Sequence, residues 1–370
     1  MLTLADIPVS RIYTASQLED LCVDAARVNT NTSMLPIERS KQLEMDDRGQ
    51  LENGFRFTTT AFRQLCRTLA GGMSSLLDDV AGKRRRKAAM DVEFSPPTAI
   101  AIFNRLLRLR FVRMLGRLAV YNVADRTIDG FVGPKYKYLA NSAFASNLLE
   151  GLASESLKFH RGYLYGRQLA LRFVHNGKLP VTTNDGITLF ALGRHYANSE
   201  IGDASVRAAP MVTLVDGPTA LGSYDLRLPH AGRDFQRKLQ KLLGSSLRGP
   251  DEALLDGWIK ALQSQPLIGK EDEFSVDGLA RSKSRLERKL VSKGLTQRMA
   301  QQVSALSFFG ANLAGFPSIE DFANKSFAIG QRTAYDACIA LMQTPIRMPL
   351  NARERVEQVA YSLLCGRFSL

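Results

Sequence analysis

Gly186-Ile187-Thr188-Leu189-Phe190-Ala191-Leu192-Gly193-Arg194-His195-Tyr196-Ala197 and Ser205-Val206-Arg207-Ala208-Ala209-Pro210-Met211-Val212-Thr213-Leu214-Val215 are two apolar stretches joined through a polar corner, Asn198-Ser199-Glu200-Ile201-Gly202-Asp203. Ile187, Leu189 and Ala191 alternate with Thr188, Phe190 and Leu192, while Val206, Met211, Val212, Leu214 and Val215 load the second stretch. Successive side chains on a strand point to opposite faces, so this patterning predicts a half-buried to buried strand pair. Gly202 supplies a residue free to take positive φ in the corner, and Asn198, Ser199 and Asp203 carry side chains that bond nearby backbone. The central sheet is therefore expected here.

Working outward, Leu118–Val123 and Thr127–Val132 read as a strand-turn-strand unit around Ala124-Asp125-Arg126. Residues 142–152 read as a helix with Phe144, Leu148, Leu149 and Leu152 inward. Residues 162–174 alternate throughout and are expected as one strand, followed by a hairpin-turn composition at His175-Asn176-Gly177-Lys178. The fold class predicted is α+β: a central, mostly antiparallel sheet with flanking helices.

On the N-terminal side, residues 16–27 suggest a short helix capped by Ser16, with Leu18, Leu21 and Cys22 on one face. Thr58 or Thr59 caps a helix to Ala70, in which Phe62, Leu65, Cys66 and Leu69 keep helical spacing. Gly71-Gly72 ends it, and a further helical piece runs from Ser74 to Val80. After Pro96-Pro97, Thr98 caps a helix whose stripe is Phe103, Leu107, Phe111, Met114, Leu115 and Leu118, with Arg105, Arg113 and Arg117 opposite; Leu109–Val112 equally suits the start of a strand. Beyond Arg233 the pattern is helical, with helices at 233–243, 251–263 (capped by Asp251), 276–293 and 351–365. These readings divide the chain into a helical N-terminal module (1–82), an α+β core with a basic surface (83–245) and a helical C-terminal domain (246–370).

The string from Gly193 to Leu214, centred on Asn198-Ser199-Glu200-Ile201-Gly202, resembles the signature of the phage/plasmid-like proteins of unknown function. Thr127-Ile128-Asp129-Gly130-Phe131-Val132-Gly133-Pro134-Lys135-Tyr136-Lys137-Tyr138-Leu139, running into the helix at 141–151, is similar to a second part of that family's pattern. The two matches span roughly residues 55–245. Where the family carries a Cys-Thr-Asn-Gly box, this chain reads Val215-Asp216-Gly217-Pro218-Thr219. The resemblance implies a setting in mobile-element DNA metabolism; it implies no catalytic residues.

The composition, 45% hydrophobic and 23% charged over 370 residues, is that of a globular protein of two or three domains. No apolar run approaches the roughly 20 residues that span a bilayer. The N-terminus lacks the basic-then-apolar order of a signal peptide, so a cytoplasmic location is expected, in the host cytoplasm if the gene is phage-borne. Cys22, Cys66, Cys338 and Cys365 are widely separated among apolar neighbours and read as free thiols, without disulfide or zinc spacing.

The formal charge of +13 points to a polyanionic partner, nucleic acid before an acidic membrane. Residues 1–57 hold nine acidic and six basic side chains. Residues 83–117, in contrast, hold ten Lys or Arg against Asp91 and Glu93. Lys83-Arg84-Arg85-Arg86-Lys87 reads as a phosphate-binding loop or as a solvated linker, and Arg105, Arg108, Arg113 and Arg117 extend the basic stretch. Arg281, Lys283, Arg285, Arg288, Lys289 and Lys293, against Glu287, make a second basic surface.

Lys135-Tyr136-Lys137-Tyr138 interleaves cations with aromatics. On a strand the tyrosines face one side and the lysines the other; in a loop the rings can stack bases while the lysines hold the backbone. Arg161, Tyr163, Tyr165, Arg167 and Arg172 pose the same choice. His195 with Glu200 and Asp203 is the one histidine-carboxylate grouping close in sequence, and it reads as structural before catalytic. Phosphate-loop, dinucleotide, nucleophile-elbow and metal-ligand spacings are absent from the sequence, so no cofactor, metal or catalytic residue is expected.

The leading expectation is a non-enzymatic nucleic-acid-binding protein, single-stranded DNA favoured, in phage or plasmid replication or recombination. Its contacts would be Lys83, Arg84, Arg85, Arg86, Lys87, Arg105, Arg108, Arg113, Arg117, Lys135, Tyr136, Lys137 and Tyr138. One alternative is an adaptor that brings a phage or host polymerase or single-strand-binding protein to DNA. A weaker one is a metal-dependent nuclease built on Asp125, Asp129, Glu200 and Asp203.

Overall fold

The structure, a computed structural model, describes residues 11–70, 96–152, 156–183, 186–201, 205–214, 219–222, 226–243, 249–265, 276–309, 333–343 and 350–370. The two apolar stretches form β9 (Gly186–Ser199) and β10 (Ser205–Leu214), antiparallel, with Asn198 opposite Val206 and Phe190 opposite Leu214. They sit at the middle of a large sheet in the order β1 (Arg11–Thr14), β6 (Leu157–Tyr165), β7 (Gln168–His175), β9, β10, β11 (Thr219–Leu221). β12 (Leu226–Pro229) pairs with β10, and β8 (Leu179–Thr183) pairs with β9. The α+β class is as expected.

The stretch 162–174 is two strands, not one. β6 and β7 form a hairpin in which Tyr165 pairs with Gln168 across Gly166-Arg167. Alternation runs through so short a turn without interruption, and Gly166, at φ 53°, is the residue that permits it. The expected hairpin at 175–178 is instead an end-to-end connection. β7 pairs with residues 193–199 of β9, and β8 with residues 186–190 along the same edge. Gly193 lies where β9 is hemmed in on both sides: a Cβ there would stand 2.1 Å from the Phe173 carbonyl oxygen.

A second, four-stranded sheet has the order β2 (Thr32–Pro36), β4 (Leu118–Asn122), β5 (Thr127–Val132), β3 (Arg56–Phe57). Its core packs on α2 (Thr59–Ala70) and α3 (Pro96–Arg110) through Phe57, Phe62, Leu65, Phe103, Leu107 and Phe131. Thr58 caps α2, its Oγ1 accepting from Ala61 N at 3.2 Å. The N-terminal residues are thus not a separate helical module. They supply β1 to the large sheet and β2 and β3 to the small one, with α1 (Leu18–Thr30) lying against β6. Ser16 does not cap α1: it lies in a 3-10 turn, Ala15–Gln17, that leads into the helix and begins at Thr14, where Gln17 Oε1 accepts from the Thr14 amide at 3.0 Å and hydroxyl at 3.1 Å.

The helix after Pro96-Pro97 begins at Pro96 and stops at Arg110, and Phe111–Arg113 continue as a 3-10 turn. The change from 3.6 to about 3 residues per turn keeps Met114 buried but turns Leu115 outward, against expectation. The expected helix at 74–80 lies outside the described residues.

One face of the large sheet is covered by α1, α4 (Asn141–Leu152) and α5 (Phe235–Leu243) through Leu21, Phe144, Leu148, Leu171, Tyr196 and Leu239. Across the other face lies α10 (Leu350–Leu364), whose Leu350 packs on Tyr163, Ala170 and Ala197. α6 (Glu252–Gln263), α7 (Val276–Ser292), α8 (Gln297–Phe309) and α9 (Ala334–Gln343) join α10 in a core that takes in Leu179, Phe190, Val212 and Ala220 of the sheet. Asp251 caps α6 as expected, accepting from Leu254 N at 2.8 Å. Among the described residues, no helix is long and apolar enough to cross a membrane.

Candidate functional site

Lys83, Arg84, Arg85, Arg86 and Lys87 lie outside the described residues, as does Asp203. Arg105 is exposed on α3, and among the described residues it has no ion-pair partner. Arg108 is forked onto Glu44 (Nε to Oε1 3.0 Å, Nη2 to Oε2 2.6 Å), which holds the Glu44 carboxyl below its ordinary range. Arg113 Nη1 reaches the Thr68 and Leu69 carbonyls at 3.3 Å each, and Arg110 reaches Leu69 O at 2.9 Å. Both arginines therefore cap the C-terminal end of α2, where cations meet the negative pole of the helix. Arg117 bonds the Arg113 carbonyl at 3.2 Å.

In 135–138 both lysines are exposed and both tyrosines half-buried. Tyr136 donates to the Glu200 carbonyl at 2.6 Å and stacks on His230, centroids 5.5 Å apart. Tyr138 donates to Asn29 Oδ1 at 3.1 Å. Burial pushes both phenols up, Tyr138 to about 12. Rings and cations thus part company, and Tyr136 and Tyr138 are committed to the interior rather than presented for base stacking.

Two buried ionic networks explain where other charged residues go. The first centres on Arg167 in the β6–β7 turn. Its Nε donates to Asp129 Oδ2 at 2.7 Å, and its Nη1 to Glu200 Oε2 at 3.2 Å and to Thr32 Oγ1. Thr127 donates to Asp129 Oδ1 at 2.7 Å. Glu200 Oε1 accepts the Asn141 amide at 2.7 Å, at the first residue of α4, where the helix pole favours a carboxylate. Asn198 Nδ2 bonds the Leu139 carbonyl at 3.2 Å and Asn141 Oδ1 at 2.9 Å, and Ser199 bonds the Ile201 carbonyl. The Asn-Ser-Glu corner is therefore a buried lock that fastens small sheet, large sheet and α4 together. Burial raises the Glu200 carboxyl to about 7 against the pull of Arg167. Asp129 is the closer counter-ion of that arginine.

The second network lies between the large sheet and α10. Arg172, fully buried, donates through Nη2 to Glu357 and through Nη1 to Tyr163 at 3.2 Å. Its guanidinium stands 4.6 Å over the Tyr163 ring, and that of Arg353 stands 4.1 Å from the same ring. Arg353 Nε also donates to Glu357 Oε1 at 3.1 Å. Arg172 Nε donates to His195 Nδ1 at 3.3 Å, which places the ring proton on Nε2, 3.2 Å from Glu354 Oε1. Arg207 pairs with Glu354 Oε2 at 3.0 Å. Burial lowers the His195 pKa, so the ring is neutral near pH 7.

These geometries bear on three groupings singled out in the sequence. The cluster of Arg161, Tyr163, Tyr165, Arg167 and Arg172 does not form one surface, because Arg167 and Arg172 enter different interior networks. His195 meets Glu354 and not Glu200. Asp129 and Glu200 share a guanidinium, while Asp125 bonds Asn122 at an exposed turn; Asp203, the fourth carboxylate of the nuclease alternative, lies outside the described residues. Among the described residues, no group of three His, Cys, Asp or Glu is placed to hold a metal ion.

Sequence reasoning passed over Arg353, Glu354 and Glu357. The available signal was charged residues at the positions of residues 350–364 that share a face with Leu350. A surface cleft of about 450 Å³ lies between β1 and α1, where Asp24 is already bonded by Arg11 and Tyr13 at 2.6 Å each. No protein-family model, curated protein or solved structure matches this chain.

Proposed function

We propose that the chain is a non-enzymatic nucleic-acid-binding protein, with single-stranded DNA the favoured ligand, serving replication or recombination of a phage or plasmid. The observation that carries this reading is the state of its outward cations. Lys135, Lys137 and Arg105 are exposed and, among the described residues, have no ion pair. They are an outward, unneutralised part of the +13 excess, which also includes Lys83–Lys87. The exposed Lys293, just after α7, adds to it, while the exposed Arg285 and Arg288 on α7 each already hold a carbonyl. Tyr136 and Tyr138 drop out as stacking residues, and Arg108, Arg113 and Arg117 contribute less than Arg105 because each already holds a carboxylate or a carbonyl. The mobile-element setting rests on the resemblance of Gly193–Leu214 and Thr127–Leu139 to the phage/plasmid-like family.

The test is the variant R84E/R85E/R86E, assayed by oligonucleotide anisotropy at moderate salt. Phosphate contacts carry no base information, so the variant is expected to weaken binding to all sequences alike, by at least about tenfold. Binding as tight as the parent's would overturn the assignment of this run.

A further inference from the structure

Leu109, Val112 and Leu115 are 72%, 74% and 52% exposed, high values for three aliphatic side chains so close together. Their common exposure follows from the backbone. After Arg110 the chain turns with i to i+3 bonds, Met114 N to Phe111 O at 2.7 Å and Arg117 N to Met114 O at 3.1 Å. In that geometry residues three apart eclipse one another. Phe111 and Met114 face the core of the small sheet, while Leu109, Val112 and Leu115 form a row in solvent. From Leu109 on the last turn of α3 to Leu115 just past the 3-10 turn the row spans roughly 10 Å, at rises of about 1.5–2 Å per residue.

It is bordered by cations. Arg105 and Arg108 precede it, Arg110 and Arg113 interleave with it, and Arg117 follows; among the described residues Glu44, on Arg108, is the single carboxylate paired with any of the five. Arg110 and Arg113 are fixed to the end of α2, so the row is held in place before anything binds it.

We propose that this ridge docks an amphipathic helix of a partner protein, one whose apolar stripe is flanked by Asp and Glu. Two turns of such a helix match the length of the row, and its acidic flanks meet the arginines on either side. Nucleic acid is the poorer occupant: phosphates gain nothing from aliphatic side chains, bases stack on aromatic rings, and the row offers none. A lipid surface is poorer too, because interfacial segments bury a much longer apolar face. The aliphatic row takes no part in the nucleic-acid reading, although the flanking Arg105, Arg108, Arg113 and Arg117 are shared with it.

The experiment uses the full chain and a designed fluorescent helical peptide of about 15 residues, with leucines at i, i+3, i+4 and i+7 and glutamates on both flanks. The parent protein is expected to bind it, and L109S/V112S/L115S to lose at least about tenfold in affinity. A peptide with lysines in place of the glutamates should not bind the parent, a comparison that holds even if the triple variant fails to fold. Binding of single-stranded oligonucleotide should be the same in parent and triple variant. The proposal is overturned if the parent ignores the acidic peptide, if the lysine peptide binds equally, or if the serine variant keeps peptide affinity. It is also overturned if that variant loses, instead, binding to oligonucleotide or to phosphatidylserine vesicles.

Discussion

Arg172 is wholly buried, and its guanidinium meets Glu357, His195 and the ring of Tyr163. Arg105 stands in solvent on α3 and meets no carboxylate among the described residues. Between these extremes Arg113 is exposed yet tied to carbonyls. The same residue type thus does two jobs. Inside, arginines join sheet to helix and are neutralised there; outside, they leave a field that a polyanion or an acidic helix can answer. A net charge counts both kinds, so only the outward set bears on partners.

The largest effect expected from breaking this contrast is in the interior. Glu357 accepts from both Arg172 and Arg353, so E357A leaves two guanidinium groups buried without their shared carboxylate. A loss of about 3–5 kcal/mol in a urea unfolding series is expected, the range for removing one side of a buried pair. A loss below about 1 kcal/mol would mean that α10 is held by apolar packing alone.

A smaller effect separates the two interior networks by pH. Glu200 is raised from 4.5 to about 7 by burial. The folded chain therefore holds that proton more tightly than the unfolded chain does. Its contribution to stability is complete below about 4.5 and is lost as the pH rises through about 7. His195 acts in the opposite sense: its pKa is lowered from 6.5, so stability falls as the pH drops below that value. E200Q should abolish the Glu200 part of the slope between pH 4.5 and 7 and leave the acid-side loss in place. Unfolding midpoints over a pH series read this out, and parallel curves for parent and variant would refute the assignment.

The smallest effect on stability belongs to the outward set. R105E should leave the urea midpoint unchanged while weakening oligonucleotide binding, since Arg105 touches no carboxylate among the described residues. A shifted midpoint would show that Arg105 has a structural partner after all.

How much of this was legible follows from the range of each interaction. β9 and β10 were readable because period-two alternation is local, and α2 because Phe62, Leu65, Cys66 and Leu69 keep helical spacing. The β6–β7 hairpin was not, because a two-residue turn leaves alternation intact and Gly166 is its one local mark. β1, β2 and β3 are two to five residues long and gain their identity from partners some 70–150 positions away. The Asn-Ser-Glu corner was visible as a polar break, but its role depends on Asp129, Asn141 and Arg167, which only the fold brings to it. Leu115 was placed inward because helical spacing was continued past Arg110, where the backbone tightens to a 3-10 turn. α8 and α9 were passed over although their amphipathic patterns are as strong as that of α4, which was read.

The central claim, that the outward cations grip a nucleic acid, is tested most directly by titrating salt against the affinity for single-stranded DNA, with duplex DNA and RNA alongside. Contact with about five phosphates predicts a log-log slope near −3.5 for a single strand, with tighter binding to it than to duplex. An affinity indifferent to salt, or no binding to any of the three at low ionic strength, would contradict the account.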